Sequence, residues 1–508
     1  MISPLHGKKS PFRLPSNVIY FHDWRYVNHG TFCWQDSEGN DYPLWGVDPI
    51  PPLGMKFVDM PLGIELAAQP ARKTEPVLTP EKLEEPFVGD GCVMYDGGTY
   101  RLWYNGWPKE DFGTDRMNWE NVPVRYAESD NGFDWRLPKL GLVAERRAGR
   151  ADNIVYGGKA AEEPGCHGGC IFKDPSGPPA ERYKMFFTGR PTATQRTEYL
   201  HQRPKDVDPA GGRALFGAVS PDGLRWTRLP DPLVLVNSDT QNTCEYDVNL
   251  GQYVAYTRSW FFERRTIGRM ATEDFRQFPV HEEVFWPNAQ MKPYELWYTS
   301  GKTLIPSTTD HHVMFPMRWT LTDDKFDFHL ATSPDNVVWG FVPGGPVCEK
   351  GEPSDWNGGL VAPGNGMVNL PGDRIGLLLL GWGVPHKHPR RPPLGGMAWA
   401  VWPKGRLVAL KAPVEGSFAT WPVLFDGRTV HLNFKTTLTG FVKVEAAAAD
   451  GKTLPGRSFD DCDPMSGDCM DQLVTWKGQS DLGHAENAPV ILRFKLRSVE
   501  LYSVEFKS

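Results

Sequence analysis

Three acidic residues stand at the beginnings of predicted β-strands, although they lie far apart along the chain: Asp90, Asp239 and Glu295. Hydrolysis of a glycosidic bond normally uses two carboxyl groups on opposite sides of that bond, one ionised and one carrying a proton. Burial or a neighbouring carboxylate must raise the pKa of the group that keeps its proton. These carboxyl groups can act together only if the fold brings the starts of their strands to one place.

Other acidic residues compete for the same work. Glu352 and Asp355 precede a later predicted strand, and either could supply the proton in place of Glu295. Asp174 occurs in Phe-Lys-Asp-Pro followed by Ser-Gly-Pro-Pro, a pattern that favours a hairpin turn. An Asp before a strand is usually a turn or capping residue, so a structural role stays open for each of these positions.

Several polar and aromatic side chains could bind a sugar beside the carboxylates. In His167-Gly-Gly, the glycines let the backbone approach a ligand closely. Each candidate could instead be an ordinary loop residue, and core packing is the commoner place for a Trp. The predicted substrate-binding residues are Asp23, Arg25, Trp107, His167, Gln241, Asn242, Glu352, Asp355, Trp356 and His386, and Trp103 is a further stacking candidate.

Three of these candidates belong to two short clusters. Asp23-Trp24-Arg25 lies in an irregular, Pro-rich N-terminal stretch that we expect to act as a wrapping arm reaching the site. His386 begins the basic segment 386–391, which either hangs over the site or forms a solvated turn.

A repeated phrase indicates the elements that must position these residues. Residues 126–135, 218–226 and 330–339 each run from a small or apolar strand end through Ser and a turn of Asp with Gly or Asn to a Trp. Such turns tolerate positive φ and suit hairpins. A hairpin that recurs at long intervals in an all-β pattern predicts the radially repeated blades of a β-propeller, whose innermost strands converge on a central funnel.

Composition supports this fold class and excludes several functions. The chain has 508 residues with Trp 19, Phe 27, Tyr 16, Gly 52 and Pro 46, a balance that suits short strands joined by many turns. A net charge of −7 without long charged runs argues against nucleic acid or an anionic membrane as partner. The N-terminal sequence lacks an apolar signal core, so a cytoplasmic location is expected, or a secreted one if a leader precedes it.

The pattern changes along the chain and predicts three parts. Residues 1–83 form the arm, 84–411 form a five-bladed β-propeller, and 412–508 form a β-sandwich whose strands alternate like those of a half-buried sheet. The eight Cys are too sparse for a disulfide scaffold. The close pairs Cys166/Cys170 and Cys462/Cys469 are expected to be buried or free thiols, with a metal site or a stabilising bridge as alternatives.

The stretch from Asp90 to Tyr104, Asp-Gly-Cys-Val-Met-Tyr-Asp-Gly-Gly-Thr-Tyr-Arg-Leu-Trp-Tyr, resembles the Asp-Pro-Asn-Gly stretch of glycoside hydrolase family 32, in which the Asp is the nucleophile. The Pro-Asn is missing here. Ser238-Asp239 resembles that family's Arg-Asp-Pro segment, whose Asp stabilises the transition state, and Tyr294-Glu295 stands in for its Glu-Cys-Pro segment, which carries the acid/base. The Ser-x-Asp-Gly turns resemble those of families 32 and 43.

The resemblance implies a divergent relative of these five-bladed enzymes that cleaves a furanoside or a related small glycan. Such an enzyme is expected to be exo-acting and to need no cofactor or metal. Asp90 would attack the anomeric carbon or activate a water, Glu295 would protonate the leaving oxygen, and Asp239 would stabilise positive charge. Two alternatives stay open: a non-catalytic glycan-binding propeller, and a polysaccharide lyase with a His or Tyr base. A carbohydrate is the expected partner, and the sequence gives no oligomeric state.

Overall fold

The computed structural model of the protein describes residues 5–42, 52–83, 87–107, 122–143, 153–157, 167–205, 207–208, 212–287, 289–387 and 395–508. These residues are mostly in β-strands, which confirms the predicted all-β class. The chain divides into two compact units: Met1–Gln69, Val342–Gly344 and Lys404–Ser508 form the first, and Pro70–Phe341 and Gly345–Pro403 form the second. In the part of the chain that is described, no helix has the length and apolar character needed to cross a membrane.

The strands are numbered in chain order. The first unit begins with β1 Phe12–Arg13, β2 Val18–Tyr20, β3 Thr31–Gln35, β4 Asp41–Tyr42, β5 Gly54–Val58 and β6 Glu65–Ala68. The second unit holds β7 Arg72–Lys73, β8 Phe87–Asp96, β9 Thr99–Trp107, β10 Val124–Ser129, β11 Trp135–Arg136, β12 Ile154–Tyr156, β13 His167–Lys173, β14 Tyr183–Gly189, β15 Ala214–Ser220, β16 Thr227–Arg228, β17 Thr243–Asp247, β18 Gln252–Phe261, β19 Arg264–Thr272, β20 Glu282–Phe285, β21 Glu295–Thr299, β22 Thr303–Leu304, β23 His312–Met314, β24 Met317–Thr320, β25 Lys325–Phe328, β26 Ala331–Ser333, β27 Gly340–Phe341, β28 Cys348–Glu349, β29 Leu360–Leu370, β30 Arg374–Trp382 and β31 Met397–Pro403. The first unit ends with β32 Val408–Ala419, β33 Val423–Leu424, β34 Thr429–Ala448, β35 Asp468–Leu473 and β36 Val490–Lys507.

Among the described residues, helix occurs only in short segments of the second unit. These are α1 at Pro80–Leu83, a 3-10 turn at Pro179–Glu181 and α2 at Ala193–Gln202. Thr192 begins α2 with a capping box, because its side chain accepts from the backbone of Gln195 while the Gln195 side chain accepts from the backbone of Thr192.

Antiparallel four-stranded sheets dominate the second unit. Their strand orders are β13-β14-β15-β16, β17-β18-β19-β20, β21-β24-β25-β28 and β22-β23-β26-β27. The last two sheets alternate along the chain. The consecutive pairs β21 and β22, β23 and β24, β25 and β26, and β27 and β28 each give one strand to each sheet. A larger sheet has the order β11-β10-β9-β8-β29-β30-β31-β7, with β12 beside β10. Strands that pair with their chain neighbours in this way are what propeller blades consist of, and the number of blades, five, stays a prediction.

The repeated phrase forms the same turn each time, as the sequence predicts. Ser129 and Ser220 accept hydrogen bonds from the backbone of Gly132 and Gly223, each three residues further on. Ser333 likewise accepts from the backbone of Asp335. The side chain two residues after each Ser, an Asn or an Asp, accepts from two further backbone N–H groups. These contacts satisfy the turn backbone locally and let the chain reverse without a partner strand.

Each turn also receives a hydrogen bond from an aromatic side chain on a distant strand. The indole of Trp399 donates to the carbonyl of Gly132, and the indole of Trp103 donates to the carbonyl of Gly223. The hydroxyl of Tyr256 donates to the carbonyl of Asn336, the corresponding residue of the third turn. The repeat in sequence therefore corresponds to a repeated tertiary contact between strand groups.

The first unit is built around its longest strands. β36 lies between β32 and β33 and also pairs with β34, and β34 pairs with β35. Strands from the N-terminal part of the chain complete this sheet, since β2 pairs with β36, β6 with β32 and β1 with β33. A separate small sheet has the order β4-β3-β5. The predicted boundaries at residues 83 and 412 are not those of the two compact units, and the three-part division stays a prediction.

Candidate functional site

A cavity of about 500 Å³ opens in the second unit where five strand starts come together. This volume lies within the range of roughly 300–1,000 Å³ that is usual for small-molecule sites. The strand starts contribute Gly89 and Asp90 from β8, His167 from β13, Asp239, Thr240 and Gln241 before β17, Leu296, Tyr298 and Thr299 from β21, and Leu360 and Ala362 from β29. The structure therefore brings Asp90 and Asp239 to one pocket, together with His167, Gln241 and His386.

Asp90 lies at an irregularity in its strand. The register between β8 and β9 shifts between Gly89 and Gly91, and Asp90 has a φ of 35°. A bulge of this kind re-aims a side chain that would otherwise follow the alternation of the strand. A positive φ in a residue other than Gly costs about 1–3 kcal/mol and persists mainly at functional sites.

Gly168 supplies the hydrogen bond that holds the Asp90 carboxylate. Its backbone N–H donates to Oδ2 of Asp90 over 3.1 Å. A Cβ at this position would lie 1.9 Å from the carbonyl oxygen of Thr240, and its φ is +62°. The glycine predicted to allow close approach of a ligand thus allows close approach of another strand start, which fixes the site.

Asp239 is held as an anion by two arginines. Arg213 Nη1 lies 3.1 Å from Oδ2 of Asp239, and Arg258 Nη1 contacts Oδ1. Burial raises the pKa of the Asp239 carboxyl, but Arg258, Arg265 and Arg213 outweigh burial and the pKa is lowered from its ordinary value. Asp239 is therefore suited to holding hydroxyl groups, and unsuited to donating a proton.

His167 lies between the two carboxylates. Its Nε2 contacts the backbone carbonyl oxygen of Asp239, and because that oxygen only accepts, Nε2 must carry the hydrogen. Its Nδ1 lies 3.8 Å from Oδ2 of Asp90. The imidazole thus connects the start of β8 to the segment before β17.

The opposite wall combines a phenol, an imidazole and a guanidinium. The Tyr298 hydroxyl lies 3.0 Å from Nε2 of His386. The guanidinium carbon of Arg265 lies 3.7 Å from the centre of the Tyr298 ring, a close cation–π contact. Trp319 packs edge to face against the His386 imidazole, and Trp382 lies nearly parallel to it. These rings, with Trp260, give the pocket aromatic surface on which a sugar could stack.

Gln241 and Asn242 tie the strand starts to one another. The Gln241 side chain donates to the carbonyl of Gly91 over 2.8 Å. The backbone carbonyl of Gln241 accepts from the hydroxyl of Thr299. Asn242 is fully buried and donates to the carbonyl of Gly168 from both its backbone and its side chain. Gln241 also lines the pocket, whereas Asn242 is not among its lining residues.

Glu295 does not line this pocket, although it begins a strand that does. Side chains alternate along a strand, so Glu295 and Trp297 face away from the side that carries Leu296 and Tyr298. The Glu295 carboxylate accepts from the backbone of Lys292 over 2.8 Å and lies 3.4 Å from Arg318.

The remaining predicted residues lie elsewhere. Glu352 and Asp355 are exposed on the turn before β29, where Asp355 accepts from the Glu352 backbone, and the Trp356 ring packs over Gly381. Asp23 and Arg25 form a 2.7 Å ion pair within the first unit.

The side chain of Trp107, Cys166 and residues 388–391 fall outside the described residues. Trp103 is buried, Asp174 pairs with Lys184, and Cys462 and Cys469 are free thiols.

Sequence reasoning missed most of the cationic and aromatic lining. The missed residues are Arg213, Arg258, Trp260, Arg265, Tyr298, Trp319 and Trp382, whereas Lys387 lies in the basic segment 386–391 that the sequence analysis named. One local signal was present: Arg258 and Trp260 are two residues apart on β18, so they share a face, and Arg265 on β19 pairs directly with Trp260.

A second cluster of polar residues lies outside the pocket. Glu245, Asp247 and His312 place their ligand-type atoms within 4.8 Å of one another. The Lys302 ammonium contacts the Glu245 carboxylate, and the Asn336 amide donates to both Glu245 and Asp247. Because these donors already engage one oxygen of each carboxylate, the contacts join strands within the unit.

Comparison with protein-family models finds no match, and comparison with curated proteins finds none either. Among solved structures, the protein is similar to a family-32 β-fructofuranosidase from Bombyx mori (12% identity, 85% of this chain, 93% of that chain, TM-score 0.43). It is also similar to a fructofuranosidase from Schwanniomyces occidentalis complexed with fructosylnystose (12%, 85%, 98%, TM-score 0.40). A third is an N-acetylgalactosamine deacetylase from F. plautii in complex with blood group B trisaccharide (10%, 68%, 97%, TM-score 0.44).

The solved structures that the protein is similar to thus include two fructofuranosidases. At these TM-scores and identities the likeness carries no argument about substrate or reaction. Those conclusions must come from the pocket itself.

Proposed function

We propose that the protein is a glycoside hydrolase that binds a glycan in the pocket around Asp90. The observation that carries the proposal is the setting of Asp90: a carboxylate in a left-handed backbone conformation, at a bulge, on a cavity with a second, fixed carboxylate and aromatic walls. Ionised groups of this kind act on the anomeric carbon in most glycoside hydrolases.

In this proposal Asp90 attacks the anomeric carbon, or removes a proton from the water that does so, while the bond from that carbon to the leaving oxygen breaks. Asp239, which its arginine partners keep ionised, accepts hydrogen bonds from hydroxyl groups of the sugar ring. The aromatic rings of Trp260, Trp319 and Trp382 stack on the sugar.

The leaving oxygen needs a proton, and Tyr298 is placed to supply it. Tyr298 lines the pocket from β21, the strand on which Glu295 faces the other way. Its hydroxyl proton passes to the leaving oxygen, an Nε2–H of His386 stabilises the phenolate that remains, and a proton of the water that completes the hydrolysis restores the phenol. Glu295, the acid predicted from the sequence, remains the competing assignment.

The finer parts of the proposal are a furanoside substrate and attack from a chain end. The resemblance of residues 90–104 to the nucleophile stretch of family 32 supports a furanoside. Strand starts from several parts of the second unit line the pocket, which favours entry of a terminal sugar over passage of a continuous chain.

Lyase chemistry is the second candidate, and one observation favours it. The hydroxyl of Tyr298 and the imidazole of His386 are bonded to each other beside the Arg265 guanidinium. A base of this kind could remove the proton next to a uronate carboxylate, with Arg265 neutralising that carboxylate while the glycosidic oxygen leaves.

The test compares wild type with Asp90→Asn on a panel of aryl furanosides, aryl pyranosides and oligosaccharides. We expect Asp90→Asn to lower kcat/KM by about 10²–10⁴-fold or more with an unchanged Tm, since the charge is lost and the shape is kept. Asp134→Asn, an exposed turn residue of the same unit, is the matched control and should keep full activity.

Each outcome separates the candidates. A new reducing end, lost in Asp90→Asn, supports hydrolysis. An unsaturated uronate product, formed equally by Asp90→Asn, shows a lyase instead. Glycan binding without turnover on any substrate shows a non-catalytic binding protein.

A further inference from the structure

The charges that line the pocket are unequal. Among the described residues, four cationic side chains face two carboxylates: Arg213, Arg258, Arg265 and Lys387 against Asp90 and Asp239. A neutral sugar offers hydroxyl groups and no countercharge, so it would leave this excess in place.

The arrangement of ion pairs locates the excess. Asp239 is the partner of both Arg213 and Arg258, so this triad carries one positive charge in total. In the described part of the chain, Arg265 has no carboxylate oxygen within 4 Å and adds a second charge. Arg258 already donates to the carbonyl of Asn237 as well as to Asp239, which leaves Arg265 as the guanidinium least committed to protein acceptors.

Arg265 is nevertheless buried, with 6% of its surface exposed. Its Nε and Nη2 atoms find no hydrogen-bond acceptor among the described residues. The Arg265 side chain has a hydrogen bond with Tyr298, but burial of a cation whose other donors lack acceptors is costly. The pKa of the Arg265 guanidinium is lowered by this burial, with partial compensation from Tyr298 and Asp239. Burial and the nearby Arg265 charge likewise lower the pKa of Arg258 to about 10.

We propose that the ligand of this pocket is an anionic sugar, one that carries a carboxylate or sulfate group, and that Arg265 anchors that group opposite Asp90. The inference rests on the proposed function only in taking the pocket as a sugar site. Arg213 and Arg258 raise the local positive potential, and the planar guanidinium of Arg265 matches an oxyanion in a way that a hydroxyl group does not.

A carboxylate or sulfate would meet the two deficits of the pocket together. It would bring a countercharge to the buried guanidinium and an acceptor to the positive wall. The aromatic rings beside Tyr298 would hold the sugar ring, so that its anomeric carbon lies on the Asp90 side.

The experiment is isothermal titration of Asp90→Asn with matched sugars. The probes are D-galacturonate and D-glucuronate, galactose 6-sulfate, the neutral D-galactose and D-glucose, and sodium acetate and sodium sulfate. Asp90→Asn lacks the proposed catalytic carboxylate, so binding is measured without turnover. Arg265→Gln and Arg265→Lys are then compared with Arg136→Gln, which removes an exposed Arg from the same unit.

We expect at least one anionic sugar to bind about tenfold or more tightly than its neutral counterpart, with weaker binding at high salt. Arg265→Gln should weaken that binding by about ten- to a hundredfold, Arg265→Lys should recover part of it, and Arg136→Gln should change nothing. A preference for uronates over galactose 6-sulfate would identify carboxylate as the group, and the reverse would identify sulfate.

Equal binding of anionic and neutral sugars, binding to none of the anionic sugars, or equal binding of sodium acetate or sulfate would overturn the inference. These outcomes are independent of the catalytic proposal. If anionic sugars bind through Arg265 but wild type cleaves none of the corresponding glycosides, the hydrolase proposal fails and the ligand assignment stands.

Discussion

The backbone N–H of Gly168 donates to Oδ2 of Asp90 over 3.1 Å, so the second residue of β13 holds the candidate catalytic carboxylate of β8. The carbonyl of Gly168 accepts in turn from the backbone and side chain of Asn242, just before β17. One glycine therefore joins three strand starts and sets where the carboxylate can be.

We expect Gly168→Ala to disrupt this connection. The added Cβ would meet the carbonyl of Thr240 at 1.9 Å, and the φ of +62° disfavours any other residue, so unfolding should become easier by about 1–3 kcal/mol. We expect kcat/KM to fall even where the protein stays folded, because the displaced backbone moves the donating N–H away from the Asp90 carboxylate. Thermal unfolding and kcat/KM measure the two effects, with Gly340→Ala as control, where a Cβ meets nothing within 4 Å.

We expect Asp239→Asn to destabilise the protein at neutral pH. The variant leaves Arg213 and Arg258 without their carboxylate, and the free energy of unfolding should fall by roughly 1–3 kcal/mol, between the values for exposed and buried pairs. Because the folded-state pKa of Asp239 is lowered, its stabilisation is complete above the unfolded pKa of about 3.9 and is lost as pH falls through the folded value.

The difference in Tm between wild type and Asp239→Asn should therefore be constant near pH 5–7 and shrink toward pH 3. Asp130→Asn removes an exposed carboxylate that pairs with Arg136, and it should leave Tm nearly unchanged. A Tm difference for Asp239→Asn that grows as the pH falls would contradict the ionised state assigned to Asp239.

Local sequence was enough to predict the repeated turns and the place of Asp90. A Ser followed by Asp or Asn and Gly satisfies its own backbone, so the turn at Ser220 forms from residues adjacent in sequence. Asp90 lies near the start of the apolar strand β8, and starts of such strands meet in a propeller. Both inferences depend only on neighbours along the chain.

The cationic wall depends on pairing that a single sequence does not reveal. Arg265 reaches the pocket because β19 pairs with β18 in a register that sets it opposite Trp260. Tyr298 takes the role expected for Glu295 because side chains alternate along β21, which places Leu296 and Tyr298 on the pocket side and Glu295 on the other. A shift of one residue in such a strand reverses every facing side chain.

The tip of the β18–β19 hairpin lies beside the pocket residue Trp260, where it could contact a glycan that extends beyond the pocket. Phe262 and Glu263 form a two-residue turn with φ of 46° and 61° between β18 and β19, and Phe262 is 87% exposed. If a longer glycan extends from the pocket past Trp260, Phe262→Ala should raise KM roughly two- to tenfold for oligosaccharides and leave short aryl glycosides unaffected. Val248→Ala, another exposed apolar position of the unit, is the control.

The identity of the proton donor is open to a leaving-group test. Tyr298 lines the pocket and is bonded to His386, whereas Glu295 faces Arg318 on the other side of the strand. A donor matters most when the leaving oxygen is a poor leaving group, so Tyr298→Phe should lower kcat/KM on natural glycosides by about 10²–10⁴-fold and on activated aryl glycosides far less. Glu295→Gln should keep activity on both substrates. The reverse pattern, in which Glu295→Gln fails only on poor leaving groups and Tyr298→Phe is active, would return the acid to Glu295. Loss of activity in Tyr298→Phe on activated and natural substrates alike, with an unsaturated product from wild type, would make Tyr298 the base of a lyase.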